Sequence, residues 1–314
     1  MKTSPISVEE FAESVLAVPP LARRADLSLD AAQNRKLIRH IEAGGVRTLL
    51  YGGNANLYHA SVHEYGELLS MLADAAADTT RVIPAIGPDF GKMSDQARVL
   101  RGSGFRTAMV LPMQGFATPQ GIVDGISRVV DLLGMPVTVY LKDDKSIGVD
   151  ALGKLVDDQR VLVVKYAVVR PDPAVDAYLD ALIARITPRR IVSGMGERPT
   201  LVHLARLGLA SYTTGSGCIA PAPCRRLFEA LKAGDLAAAQ PIYDRFMPLE
   251  TLRDSISLIR VLHDAVSLSG LADMGPHLPL LSASPADRHE EIGAAAQDLL
   301  AYNRDPAFAT QASS

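Results

Sequence analysis

Residues 161 to 169 read VLVVKYAVV, an otherwise uncharged and almost wholly apolar run with Lys165 at its centre. An ammonium is costly to bury, so a lysine there needs a partner or a purpose. Desolvation disfavours the charged form, lowers the pKa and leaves a neutral amine able to attack a carbonyl carbon, as imine chemistry requires. A lysine paired with a buried carboxylate, or one at a strand edge reaching solvent, is the alternative. Tyr140, in VYLKDDKS, carries a phenol that can move protons, although tyrosine is also an ordinary strand residue. Gly52, Gly53 and Asn54, in YGGNANLYH, offer open backbone N–H groups and an amide that can hold a carboxylate, or form a simple turn. In the same loop His59, next to Tyr58, either lines a pocket or is solvated, and TTGSG at 213–217 reads as a turn.

These residues fall at the ends of short β-branched runs. The runs span 14–22, 47–53, 81–87, 106–112, 136–141, 161–169, 189–194 and 209–215, and successive runs start 20 to 34 residues apart. Between them lie segments with helical spacing. In LDAAQNRKLIRHIEAGG, Leu37, Ile38 and Ile41 share a face and paired glycines end the segment; TPQGIVDGISRVVDLLG opens with Thr118 as cap and Pro119 in the first turn. Eight βα units in succession predict a (β/α)8 TIM barrel, in which chemistry belongs at the carboxyl ends of the strands. That places Lys165 on strand 6, Tyr140 on strand 5, Gly53 and Asn54 after strand 2, and Gly194 after strand 7 in VSGMGE. From Gly234 onward the spacing is helical, so the expected division is a barrel at 1–233 and a helical extension packed on it at 234–314.

Composition narrows the partners. Of 314 residues, 48 % are hydrophobic and 21 % charged, the balance of a chain that folds throughout. A net charge of −3 with scattered basic residues gives no footprint for nucleic acid or an anionic membrane, so a small molecule is the expected partner. Two cysteines, Cys218 and Cys224, without a clustered metal-binding set, point to a reducing compartment, and the acidic N-terminal stretch lacks a signal-peptide pattern; the expected location is the cytoplasm.

Taken together, the strand-2 glycine turn, Tyr140, Lys165 and the strand-7 SG resemble the dihydrodipicolinate synthase and N-acetylneuraminate lyase family of class I aldolases and dehydratases. The likeness extends over RADLSLDAAQNRKLIRHIEAGGVRTLLYGG, VYLKDDKSIG, the lysine strand and LKAGDLAAAQPIYDRFMPL. It implies a barrel with a C-terminal helical extension, assembled as a homotetramer. It also implies that Lys165 forms an imine with pyruvate or another 2-oxo acid, that Tyr140 relays protons, that Gly53 and Asn54 hold the substrate carboxylate, and that Gly194 lines the same pocket. No metal or organic cofactor is implied.

The chain departs from the family's pattern in three places. GGNAN stands where the family has G-T-T-G-E, so that Gly53, Asn54 and Asn56 replace both threonines and the glutamate. Pro112, Met113 and Gln114 stand for P-Y-Y, which removes a relay tyrosine lent by a neighbouring subunit. LKDDKS, with Lys142, Asp143, Asp144 and Lys145, replaces a tract whose arginine binds the second substrate of the synthase, and is closer to the Y-N-R-D-N of the sugar-acid dehydratases. The expected activity is therefore a Schiff-base lyase, an aldolase or dehydratase, acting on a 2-oxo acid or 2-keto-3-deoxy sugar acid. The synthase itself and a non-catalytic 2-oxo-acid-binding protein stand as alternatives.

Overall fold

The computed structural model describes residues 1–113 and 115–308; Gln114, read above as part of the P-Y-Y replacement, and residues 309–314 lie outside the described residues. Eight parallel strands close into a barrel in chain order: β1 Leu16–Ala17, β2 Thr48–Tyr51, β3 Arg81–Ile86, β4 Met109–Val110, β5 Val137–Leu141, β6 Val161–Tyr166, β7 Ile191–Ser193 and β8 Ser211–Thr214. Each lies within its predicted run. The ladders of β1 and β4 are shorter than their runs, which lead into Pro19 and Pro20 or into Pro112, residues with no N–H to give a neighbouring strand.

Helices α1 Ala31–Ala43, α2 Tyr65–Ala75, α3 Phe90–Leu100, α4 Pro119–Leu133, α5 Val149–Asp157, α6 Ala177–Ile186, α7 Thr200–His203 and α8 Pro221–Ala233 alternate with the strands. Their starts follow local chemistry. Asp30 accepts hydrogen bonds from the Ala32 and Gln33 N–H groups at 3.0 Å, Thr118 from Gly121 at 3.1 Å, and Asp176 from Leu179 at 3.1 Å. Leu37, Ile38 and Ile41 on α1 are fully buried, as their spacing predicts.

Helices α9 Leu236–Ser255, α10 Leu258–Leu268 and α11 His289–Tyr302 follow the barrel; α9 packs on α8 and approaches the turn Ser216–Cys218 beyond β8. None of the described helices is long and apolar enough to cross a membrane.

Alternation along β6 sets the orientation of its side chains. Tyr166 stacks on Tyr178 of α6, with centroids 6.2 Å apart, so it faces the helical layer. Lys165, one residue earlier, therefore faces the lumen together with Val163. The register sets Lys165 opposite Tyr140 on β5 and Val192 on β7.

The barrel closes where α1 and α8 meet. A Cβ at Gly44 would lie 2.5 Å from Pro221 Cβ and 2.7 Å from the Ala222 backbone nitrogen, so the seam has room only for glycine. Gly44→Ala is expected to lower stability by about 2 kcal/mol, because the obstruction is a proline ring and the backbone beside it, neither of which can rotate away. A urea midpoint equal to that of the parent protein would show that the seam is looser than this.

Candidate active site

Lys165 is only 5 % exposed, and its Nζ lies 3.8 Å from the centroid of the Tyr140 ring. Burial, then the like charges of Lys142 and Arg253, push its pKa down to about 7, and no carboxylate acts in the opposite direction. The lysine of the apolar run is thus neither a member of a buried ion pair nor an edge residue reaching solvent. Its favourable contact is the face of an aromatic ring. Gly194 makes the space for the lysine stem: a Cβ there would sit 3.0 Å from Lys165 Cγ and 2.9 Å from the Tyr166 carbonyl oxygen.

Tyr140 is half-buried, and desolvation, reinforced by Tyr58, raises its phenol above the ordinary tyrosine value, so at neutral pH the hydroxyl keeps its proton. The loop after β2 supplies the neighbouring wall. Its Gly53 and Asn54 N–H groups donate to no group among the described residues, whereas the Asn54 side chain donates to the Val18 carbonyl at 3.1 Å. Lys92 fixes this loop by donating to the Leu57 and Tyr58 carbonyls, both at 2.9 Å. His59 is exposed, as a solvated loop histidine would be.

The loop after β5 is tied down by a different set of charges. Arg170 pairs with Asp144 at 2.5 Å and with Asp176 at 3.0 Å, and Asp176 also accepts from the Tyr166 hydroxyl at 2.5 Å while capping α6. Lys142 stays exposed beside this anchored loop. The Asp144 and Asp176 carboxylates, in the loops after β5 and β6, are thus taken by Arg170.

Beyond β7 and β8 lies a buried polar cluster that sequence reasoning missed. From α9, Arg253 donates to Glu250 Oε1 at 2.5 Å, and Ser216 donates to the same oxygen at 2.5 Å. Thr214 donates to Glu197 Oε1, and Glu197 Oε2 is buried without a partner. Burial and the nearby Glu250 charge raise the Glu197 carboxyl well above the usual carboxylate range, so it holds a proton. Burial works against the Arg253 charge, but the charge and hydrogen bond of Glu250 more than offset it and keep the guanidinium protonated. The signal was present in the sequence: Phe246, Leu249, Glu250 and Arg253 share one helical face, which places two charges on an apolar stripe.

A possible cation-binding group is found on a different part of the chain. His263, Asp264 and His277 bring ligand atoms within 4.8 Å of one another. One ring nitrogen of each histidine is engaged, however: His263 Nε2 with the Gly275 carbonyl at 2.9 Å, and His277 Nε2 with Asp264 at 3.2 Å. The two thiols, Cys218 and Cys224, are free and buried.

A closed (β/α)8 barrel with an uncompensated lysine in its lumen and a phenol across the register defines a lysine-centred barrel protein. The chain belongs to the dihydrodipicolinate synthetase family, whose sequence profile matches residues 15–298. It is 22 % identical to the 4-hydroxy-tetrahydrodipicolinate synthase of Corynebacterium urealyticum, over 87 % of this chain and 90 % of that protein. It is 24 % identical to a probable 5-dehydro-4-deoxyglucarate dehydratase of Rhizobium rhizogenes, over 87 % of this chain and 89 % of that protein. Among solved structures it is similar to YagE, a prophage protein of the dihydrodipicolinic acid synthase family from E. coli K12, solved in complex with pyruvate: TM-score 0.79, 18 % identity, 91 % of this chain and 98 % of that one.

The depressed lysine has a thermodynamic consequence. A fall from 10.5 to about 7 means that the unfolded chain holds more protons than the native one between those values, so Lys165 destabilises the fold at and below neutral pH and ceases to do so above pH 10.5. Such a shift is worth roughly 5 kcal/mol, reduced by the contact with the Tyr140 ring. Lys165→Met is expected to be more stable than the parent by on the order of 3 kcal/mol at pH 6, with the gap closing as pH rises towards 10. Denaturation across that range that left Lys165→Met no more stable at pH 6 would contradict the depressed value.

Proposed function

We propose that the protein is a Schiff-base-forming lyase, an aldolase or dehydratase, acting on a 2-oxo acid such as pyruvate or a 2-keto-3-deoxy sugar acid. The observation that carries this reading is Lys165: a buried amine with a pKa of about 7, across the register from a protonated phenol. Membership of a family with relatives named as a synthase and a dehydratase, and likeness to a structure solved with pyruvate, support it.

The neutral Lys165 Nζ attacks the ketone carbon, and the carbinolamine takes up a proton and loses water to give an iminium. The iminium withdraws electrons from the adjacent carbon, so a proton or an aldol fragment can leave there and the electron pair is held as an enamine. Tyr140 is assigned the proton transfers, because its hydroxyl keeps its proton near neutral pH. The Gly53 and Asn54 N–H groups, open in the structure, are assigned the substrate carboxylate, and Gly194 lines the pocket beside the lysine stem. The barrel is assigned to residues 1–233, which supply these groups, and the helical extension to 234–314, whose helix α9 packs on α8. LKDDKS and the substitutions in GGNAN favour a hydroxylated sugar acid over the synthase reaction, since each buried hydroxyl needs a polar partner.

A cytoplasmic homotetramer is part of this reading. An apolar groove of about 860 Å3 runs between α3 and α4, and Phe116 at its rim is 97 % exposed, which supports association through that face. Free thiols and the lack of a membrane-crossing helix among the described residues are consistent with the location.

Borohydride reduction in the presence of pyruvate is expected to leave an adduct on Lys165, seen by peptide mass spectrometry and missing in Lys165→Ala. Tyr140→Phe keeps the ring under the amine and should still be trapped, while turnover falls by roughly 10²-fold or more. Failure to trap pyruvate or any longer 2-oxo acid would remove the imine mechanism.

A further inference from the structure

Arg253 is 4 % exposed and comes from α9, outside the barrel. Its surroundings are made to receive it: a Cβ at Gly215 would lie 2.5 Å from Nη2 and 2.6 Å from Cζ, and a Cβ at Gly196 would collide with Glu250 Oε2. The hydrogen-bond accounting is incomplete. A guanidinium carries five N–H donors; Nη1 donates to Glu250 at 2.5 Å, Nε makes a long contact of 3.5 Å with the Leu258 carbonyl, and Nη2 has no acceptor among the described residues. Nη2 keeps accessible surface, so its open donors can meet an acceptor from outside the chain.

The position relates Arg253 to the lysine. Gly194 touches the Lys165 stem, and Gly196, two residues on, lies 3.6 Å by its Cβ position from Arg253 Nη1. Two residues of chain span at most about 7 Å, so the lysine stem and the guanidinium pack against the same short stretch of chain beyond β7. Charge also favours an anion there. Lys142 and Arg253 both act on Lys165 as cations, and Glu250 is paired with Arg253 while Glu197 is protonated.

We propose that Arg253 is an anion seat within the lysine site, and that the substrate is a 2-oxo acid with a second carboxylate at its far end. This rests on the reading of Lys165 as the imine-forming group. The nearer carboxylate goes to the Gly53 and Asn54 N–H groups and the distal one to Nη2 of Arg253, a planar donor suited to a carboxylate. A neutral or purely hydroxylated tail leaves Nη2 without a charged acceptor.

The test compares 2-oxoglutarate and 2-oxoadipate with the 2-oxo monoacid of the same carbon count, reading the concentration that half-saturates borohydride trapping at Lys165. A diacid preference of about tenfold or more is expected for at least one chain length, collapsing to within about twofold in Arg253→Met and only partly restored by Arg253→Lys. Because Arg253→Met strands Glu250, the paired Glu250→Gln/Arg253→Met variant, checked for cooperative thermal unfolding, must give the same collapse. Equal half-saturation of diacid and monoacid by the parent, or a preference that survives loss of Arg253, overturns the proposal. Calorimetry on Lys165→Met, which cannot form an imine, separates the two readings. A diacid preference that persists there and disappears when Arg253→Met is added upholds the seat even if the parent traps nothing; equal binding of both acids rejects it even if trapping succeeds.

Discussion

The site depends on one constraint: an amine lies in a closed barrel with no carboxylate to neutralise it. Both faces of a parallel barrel strand are covered, so Lys165 cannot reach water as a surface lysine does. Two carboxylates from the loops after β5 and β6, Asp144 and Asp176, are committed to Arg170. The groups that do act on Lys165 are cations, and the contact that softens its burial is the Tyr140 ring. The fold thus accepts instability at this position and obtains a neutral amine near physiological pH.

The glycines serve this arrangement in distinct ways. Gly194 leaves room for the lysine stem, while Gly196 and Gly215 leave room for Glu250 and Arg253. Through them the helical extension reaches the barrel mouth and places a second cation beside the first. Arg253 therefore joins local stability to the electrostatics of the lumen: it satisfies Glu250 and at the same time holds down the Lys165 pKa.

The architecture could be read from the sequence because each strand run alternates with a segment of helical period, and Thr118, Pro119 and the glycines after α1 mark element ends by local rules. Lys165 was legible for the same reason: a charge in an apolar run stands out in one dimension. Arg253 and Glu250 show in the sequence only as two charges on an apolar stripe; their place at the barrel mouth depends on α9 folding back over the turn beyond β8, a long-range contact that helical spacing alone does not specify. TTGSG read as a turn, but its glycines are required by packed side chains: Gly215 by Arg253, which arrives from α9, and Gly217 by Thr214 and Cys224. The backbone N–H groups of the loop after β2 and the Asn54 amide read together as carboxylate holders; the amide donates to the Val18 carbonyl, and the Gly53 and Asn54 N–H groups are open among the described residues.

The most direct test is the protonation state of the lysine itself, measured without any substrate. Competitive acetylation with trace anhydride across pH 5 to 11, quantified at Lys165 by peptide mass spectrometry against exposed lysines of the same chain, reports the amine's titration. A midpoint near 7 is what burial beside Lys142 and Arg253 requires. A midpoint above 10, shared with the exposed lysines, would mean that the amine is solvated or paired, and Lys165 would then lose its special standing as a nucleophile.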